Sequence, residues 1–247
     1  MEKNYLAALF FGPSDRKTFD AGLQQAIHTL YPEGIYASDN LFTFGRNLSF
    51  LGDAELIAAW EKHAETSAER GILWRIAVLA WAARHCAKLP GDFLECACYR
   101  GTSARILIDY VDFAKLGKRY YLYDMFNHAP GSRQLLDDHS DSLYDQVKAR
   151  FAEFPSVVVT KGSVPQVLEE VCPEQVAFLH LDINNAGAEL GALEKVFDRI
   201  VPGGIIVLDD YGWLGYGDQK AAEDPFFAER GYQVLELPTG QGLVFKR

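Results

Sequence analysis

Phe178-Leu-His-Leu-Asp-Ile-Asn-Asn185, a helical run, and then Val201-Pro-Gly-Gly-Ile-Ile-Val-Leu-Asp-Asp-Tyr211 decide the fold. Two short runs, 176–181 and 205–208, have the length and apolar, β-branched composition of buried strands. Each ends in acid: Asp182 after the first, Asp209 and Asp210 after the second. Between them Leu190, Leu193, Val196, Phe197 and Ile200 recur at helical spacing, and Pro202-Gly203-Gly204 is expected to stop the helix and turn the chain. A strand–helix–strand unit predicts parallel strands that are adjacent or nearly so. Ligands bind such sheets beyond the carboxyl ends of the strands, so the three aspartates are expected to converge at the ligand-binding edge. Carboxylates that close repel one another, which calls for a cation among them; oxygen donors favour Mg²⁺, Mn²⁺ or Ca²⁺ over Zn²⁺.

The 247 residues, 49% of them hydrophobic, suffice for one large α/β domain with a smaller appendage. A formal net charge of −10 without a Lys/Arg cluster argues against a nucleic-acid partner. No apolar run has the length of a membrane span, and the first residues lack the features of a secretory leader, so a cytoplasmic protein is expected. The cysteines agree. Cys96 and Cys98 alternate along one strand, Cys86 lies in a helical run and Cys172 stands alone, which suits neither a disulfide nor a zinc site and predicts buried thiols.

Residues 1–90 read as helical and irregular. Ser14 is the expected cap of a helix with Phe19, Leu23, Ile27 and Leu30 on one face, ended by Tyr31-Pro32-Glu33-Gly34. Asp53 caps a second helix, and a third, over about 68–87, is apolar nearly all round. The aromatic stretch 35–51 is either packing filler or a lid over substrate. From Leu89-Pro90-Gly91 onward strand and helix patterns alternate, with strands expected at 92–98, 120–123, 157–160, 176–181 and 205–208. A polar loop, 127–140, carries His128, Pro130-Gly131 and His139. A helix over 218–230, broken at Pro225, and an antiparallel hairpin around Pro238-Thr-Gly-Gln-Gly242 complete the chain. The pattern predicts an α/β fold: a helical N-terminal or lid region, 1–88, and then, over 89–247, a seven-stranded, mostly parallel sheet with helices on both faces and its last strand antiparallel.

The first β–α turn is where such sheets bind nucleotides. Glu95 lies near the end of its strand, and Gly101-Thr102-Ser103 opens the following helix. Cys96-Ala97-Cys98-Tyr99-Arg100-Gly101 holds one glycine where a dinucleotide site needs three, so close backbone approach is allowed but the pyrophosphate nest is missing. Asp124, ending the second strand, is placed to accept both ribose hydroxyls. An adenosine ligand without phosphates, such as S-adenosylmethionine, fits these features; a helix start with a satisfied carboxylate is the plain structural alternative.

Gly91-Asp-Phe-Leu-Glu95, Tyr99-Arg-Gly-Thr-Ser103, Asp124, Gly162-Ser163, Asp182 and Pro202-Gly-Gly-Ile-Ile-Val-Leu-Asp-Asp-Tyr211 together resemble the macrocin O-methyltransferase-like class I methyltransferases, over about residues 88–247. The resemblance implies a Rossmann-like sheet and S-adenosylmethionine as methyl donor, held by Glu95, Ala97, Tyr99, Gly101, Thr102, Ser103, Asp124, Gly162, Ser163 and Asp182. It also implies Mg²⁺, or Mn²⁺, on Asp182, Asp209 and Asp210. The sequence departs from the pattern at Ala97, where the family has glycine, and at Asp182-Ile-Asn184-Asn-Ala186, where an Asp-x-Asp-x-Tyr often stands. Asn185 occupies the place of the lysine base of catechol-type enzymes, so no general base is assigned. Asp182 and His180 are the catalytic candidates; His180, one step deeper on the Asp182 side of its strand, has a second reading as a satisfied core histidine. Gln219 and Lys220 read as a solvated helix start or as substrate contacts. The expected activity is metal-dependent methyl transfer to a hydroxyl of a small molecule, a sugar or other natural product, with no nucleic-acid or membrane partner and with a homodimer open as the assembly. A metal-free methyltransferase and a non-catalytic adenosine-binding protein are the alternatives.

Overall fold

The computed structural model describes residues 4–30, 33–127 and 139–247; Tyr31, Pro32, His128, Pro130 and Gly131 lie outside the described residues. The chain divides into two compact units, residues 1–77 and 78–247, with the division inside a helix.

In the N-terminal unit α1, Arg16–Thr29, is capped by Asp15 rather than Ser14; the Asp15 carboxylate accepts the Thr18 N–H at 3.0 Å. Part of the stretch 35–51 is a hairpin. β1, Tyr36–Ser38, and β2, Leu41–Thr43, pair antiparallel through Asp39 and Asn40, which stand at φ +53° and +54°. Two left-handed central residues give the type I′ geometry whose twist matches a two-residue hairpin. Buried Asp39 takes a fork from buried Arg75, Nε to Oδ2 at 2.6 Å and Nη2 to Oδ1 at 3.0 Å. α2, Ala54–His63, starts at Asp53 as expected. The third helix is two: α3, Ser67–Gly71, opened by a Thr66–Glu69 capping box, and α4, Leu73–Cys86, which meet at Ile72.

The C-terminal unit begins within α4. Its elements are β3 (Asp92–Cys96), α5 (Thr102–Tyr110), β4 (Tyr120–Asp124), α6 (Asp141–Arg150), β5 (Val157–Lys161), α7 (Val167–Glu170), β6 (Val176–Leu181), α8 (Ala186–Val196), β7 (Ile200–Leu208), α9 (Gly217–Glu229), β8 (Leu235–Glu236) and β9 (Gly242–Phe245). The sheet runs β5-β4-β3-β6-β7-β9-β8; the first five strands are parallel and β9 is antiparallel to both its neighbours. This is a Rossmann-like sheet with the last strand reversed. The strand order switches direction between β3 and β6, where the ligand crevice of such sheets opens.

Two local expectations fail. Pro202, Gly203 and Gly204 lie inside β7 and do not form a turn before it: Val176 pairs with Ile200 and Phe178 with Ile205, so two steps of β6 face five of β7. The extra residues bulge, which relieves Pro202 of a ladder hydrogen bond and gives Gly203 its φ of +85°. Likewise α9 runs through Pro225 without breaking.

Pleat parity sorts the side chains. Leu94, Cys96, Tyr123, Leu179, Leu181, Ile206, Leu208 and Val244 turn to one face and pack with Leu193 and Val196 of α8 and Phe226 and Phe227 of α9. On the other face the Phe93 ring lies 5.1 Å from Phe178 and 5.6 Å from Tyr120. Glu95, Asp124, His180, Asp182 and Asp209 share this second parity, so the registry that builds the aromatic layer also gathers the acids above it.

Candidate active site

Ladder hydrogen bonds continue one residue past the strands and pin the backbone that carries the acids. Ala97 N–H donates to Tyr123 O at 2.7 Å, Gly162 N–H to Asp124 O at 2.9 Å, Asp182 N–H to Cys96 O at 3.2 Å and Asp209 N–H to Leu181 O at 2.9 Å.

A polar row crosses the sheet beneath this edge. Tyr120 Oη donates to Glu95 Oε2 at 2.8 Å. Glu95 Oε1 lies 3.5 Å from His180 Nδ1, and His180 Nε2 lies 3.5 Å from Asp209 Oδ1. Gln241 Nε2 donates to that same Asp209 oxygen at 2.8 Å, and Thr239 Oγ1 donates to Gln241 Oε1 at 3.0 Å. Tyr120, Glu95, His180, Asp209 and Gln241 lie on or beside β4, β3, β6, β7 and β9, five consecutive strands, and none is more than 7% exposed. Burial opposes a charge on His180, but the carboxylates of Asp209 and Glu95 outweigh it and hold the imidazole pKa well above its ordinary value. Part of the positive charge expected among the acids is thus the imidazolium itself. In that state His180 has no lone pair with which to act as a base.

Ligand atoms of His180, Asp182 and Asp209 come within 4.8 Å of one another; Asp210, half-buried, stands outside this group. Two carboxylates so placed suit a hard divalent cation whose remaining positions are filled by water or an acceptor oxygen. The ring nitrogens of His180 already face Glu95 and Asp209.

On the other side of the switch point Asp124, 6% exposed, accepts the Tyr99 N–H at 2.7 Å and the Phe126 N–H at 2.6 Å. Burial raises its pKa and prevails over the two amides and His139, which lower it. The β3–α5 turn is tight, with Ala97, Tyr99 and Gly101 at φ +65°, +48° and +71°. A Cβ at Gly101 would stand 2.6 Å from the Phe151 ring, so the position demands glycine for space as well as conformation. Gly101 is the N-cap of α5 and no side chain caps that helix start, an arrangement suited to an anionic group. Thr102 Oγ1 accepts from Arg150 at 3.3 Å, and Ser103 follows it in the first turn of α5. A Cβ at Gly162 would lie 2.8 Å from Val167, whose N–H bonds the Ser163 carbonyl at 2.8 Å. His139 meets Tyr99 edge-on at 5.2 Å. Burial pushes the Cys96 and Cys98 thiols far above their usual range, so neither is a nucleophile.

Several residues of this site escape a reading of the sequence. Gln219 is 2% exposed and donates to Glu189 Oε1 at 2.7 Å, so it is no solvated helix start. The Lys220 ammonium lies 3.8 Å from the centre of the Tyr211 ring, and the Tyr211 hydroxyl bonds Asp224. Tyr120 could have been found, because it sits on the acid-bearing parity of its strand. Nothing in a hairpin turn marks Gln241.

The profile of the macrocin O-methyltransferase (TylF) family matches residues 75–232. A curated relative from Streptomyces olivaceus, 8-demethyl-8-(2,3-dimethoxy-alpha-L-rhamnosyl)-tetracenomycin-C 4'-O-methyltransferase, is 26% identical over 143 residues, 50% of this chain and 54% of that protein. The chain thus spans about half the length of that relative. Among solved structures, the O-methyltransferase NovP is similar with a TM-score of 0.58 at 17% identity, over 70% of this chain and 80% of that one. The calicheamicin methyltransferase CalS11 is similar with a TM-score of 0.56 at 14% identity, over 96% of this chain and 95% of that one. These two likenesses concern the fold. On the profile match, which takes in every strand from β3 to β7, the chain belongs to the macrocin O-methyltransferase (TylF) family.

Proposed function

We propose that the protein transfers a methyl group from S-adenosylmethionine to a hydroxyl of a small molecule, a sugar or a sugar-bearing natural product, with a divalent cation at Asp182 and Asp209. One observation carries this reading beyond family membership: Asp124 and the β3–α5 turn on one side of the switch point, and Asp182 and Asp209 on the other, are gathered at one sheet edge by a single pleat parity. The sugar acceptor rests on the Streptomyces olivaceus relative, whose name describes methylation of a rhamnosyl tetracenomycin.

When bound, the sulfonium donor supplies an electrophilic methyl group and the cation supplies charge that orients and acidifies a hydroxyl. Asp124 takes the ribose hydroxyls, while the tight turn from Ala97 to Gly101 and the open start of α5 receive the methionine part. Gly162 and Ser163 border the adenosine. Asp182 and Asp209 fix the acceptor oxygen, with Asp210 beside them. Glu95, His180 and Gln241 hold Asp209 in place and keep water from the buried side of the site.

One observation favours a metal-free variant of the same activity. His180, charged between Glu95 and Asp209, already neutralises part of the acidic cluster, leaving Asp182 to orient the acceptor directly.

Thermal unfolding tests the donor. S-adenosylhomocysteine at about one hundred times its Kd adds roughly 2.7 kcal/mol of stability, which for a chain of this size raises Tm by about 5–10 °C. NAD leaves Tm unchanged. A rise with NAD and none with S-adenosylhomocysteine ends the methyltransferase reading.

A further inference from the structure

Glu189, in the first turn of α8, is 4% exposed, an uncommon place for a carboxyl group. Its Oε1 accepts three hydrogen bonds: from the backbone N–H groups of Ile183 at 3.1 Å and Asn184 at 3.2 Å, and from Gln219 Nε2 at 2.7 Å. Ile183 and Asn184 directly follow Asp182. Asn184 stands at φ +60°, a left-handed conformation that costs roughly 1 kcal/mol and persists where the surroundings enforce it. One buried oxygen therefore holds two successive amides of the strained turn that carries Asp182.

That oxygen is itself held. Glu223 of α9 is completely buried and faces Glu189, and among the described residues neither of its oxygens meets a protein N–H or O–H. Two carboxylates in contact without a donor between them cannot both be charged; a proton shared by the pair supplies the missing donor. Burial displaces both groups upward, Glu223 to about 7, and the Glu223 charge adds to the rise at Glu189 while the Ile183 and Asn184 amides oppose it. The other groups facing the pair are Asp224 and Lys220 of α9 and, from β3, the neutral thiol of Cys96.

We propose that Glu189 is a positioning residue for the reaction: locked by Glu223 and Gln219, it clamps the Ile183–Asn184 turn and so sets the side chain of Asp182 against Asp209. The proposal rests on the reading of Asp182 as a residue that orients the cation or the acceptor. It couples α9 to the reaction centre, because a shift of Glu223 is felt at the backbone next to Asp182.

The full chain and three variants test this. Protection of the Ile183 and Asn184 amides against hydrogen exchange, Mn²⁺ affinity by electron paramagnetic resonance and S-adenosylhomocysteine affinity by calorimetry are measured for each. Glu189→Ala is expected to lower both amide protection factors and Mn²⁺ affinity about tenfold, the effect of one or two lost charge-assisted hydrogen bonds, with S-adenosylhomocysteine affinity within about threefold. Glu189→Gln retains the accepting oxygen and offers an N–H to Glu223, so it restores both readouts. Glu223→Ala removes the group that locks Glu189 from behind and is expected to lower both amide protection factors, by less than Glu189→Ala does. Unchanged protection and unchanged Mn²⁺ affinity in folded Glu189→Ala overturn the proposal. If the parent takes up no Mn²⁺, the cation reading fails on its own, and the amide protection still decides the clamp. If Glu189→Ala does not fold, unchanged Ile183 and Asn184 protection in Glu223→Ala overturns it.

Discussion

Gln241 Nε2 donates to Asp209 Oδ1 at 2.8 Å, and the same oxygen lies 3.5 Å from His180 Nε2. The acid at the end of β7 is therefore fixed from both flanks, by the neighbouring strand β6 and by the turn that leads into β9. Without Gln241 the carboxylate would lose a neutral, buried donor that fixes this oxygen. The turn into the reversed strand β9, which lies between β7 and β8, is thus also part of the support for the candidate active site.

Gln241→Ala is expected to destabilise the protein by about 1–3 kcal/mol, because Gln241 is completely buried and its loss leaves Asp209 and Thr239 short of partners. Affinity for S-adenosylhomocysteine should be nearly unchanged, since the donor side of the site lies across the switch point, whereas Mn²⁺ affinity should fall. Urea unfolding and metal titration check the two halves. A variant that loses the donor and keeps the metal would contradict this placement of Gln241.

The β3–α5 turn makes a pair of opposite predictions. Ala97 holds φ +65° without being glycine, so Ala97→Gly relieves a left-handed cost of roughly 1–2 kcal/mol against an entropic loss of about 0.5–1. The net expectation is a small stabilisation, read as a higher midpoint in urea. Gly101→Ala adds a Cβ at 2.6 Å from Phe151 in the same left-handed region, and should cost more than about 2 kcal/mol and weaken S-adenosylhomocysteine binding.

Much of this architecture is legible in the sequence because it rests on local periodicity. Strand-length apolar runs ending in Asp124, Asp182 and Asp209 gave the parallel sheet, and alternation alone put His180 on the side of Asp182. What was not legible is held by long-range partners. Glu189 looks like an ordinary first-turn acid until Gln219, thirty residues on, is seen to meet it. Gln241 and Asp209 are 32 residues apart. The hairpin at Asp39-Asn40 was hidden differently: its aromatic flanks suggested loop packing, although two residues tolerant of left-handed backbone between short strands are the local mark of a type I′ turn. The helix break at Ile72 was hidden because the apolar run from Leu73 onward was extended back over the polar turn Ser67–Gly71.

The Glu189–Glu223 pair makes stability depend on pH with a definite sign. Glu223 titrates near 7 in the folded protein and near 4.5 when exposed, so between those values the folded state binds more protons than the unfolded one. Its contribution is fully present below about pH 4.5 and is lost as pH rises through 7, with a slope of about 1.4 kcal/mol per pH unit in that window. Glu223→Gln stays neutral throughout, so its stability relative to the parent should rise from pH 5 to pH 8. Urea midpoints that run parallel for the two proteins over this range would show that Glu223 binds no extra proton in the folded state.

The cation is the sharpest point of decision, because the acids of this site have two candidate counter-charges. One is His180, already between Glu95 and Asp209; the other is a divalent ion at Asp182 and Asp209. If the ion is bound, the protein takes up Mn²⁺ at one site, and Asp182→Asn and Asp209→Asn each weaken it strongly while leaving S-adenosylhomocysteine affinity within about threefold. Asp210→Asn should have a smaller effect, since Asp210 lies outside the cluster. Excess chelator should lower Tm, as removal of any ligand of the folded state does. His180→Gln then separates the two counter-charges. It keeps hydrogen-bonding capacity but removes the imidazolium, so Asp209 and Glu95 lose a counter-charge. With the ion as main counter-charge, added Mn²⁺ recovers most of the lost stability; with His180 as the only one, the variant stays destabilised whatever ion is added. A parent protein that binds no Mn²⁺ or Mg²⁺ and whose Tm is indifferent to chelator, together with a His180→Gln variant that no ion rescues, would leave the metal-free methyltransferase as the reading of this site.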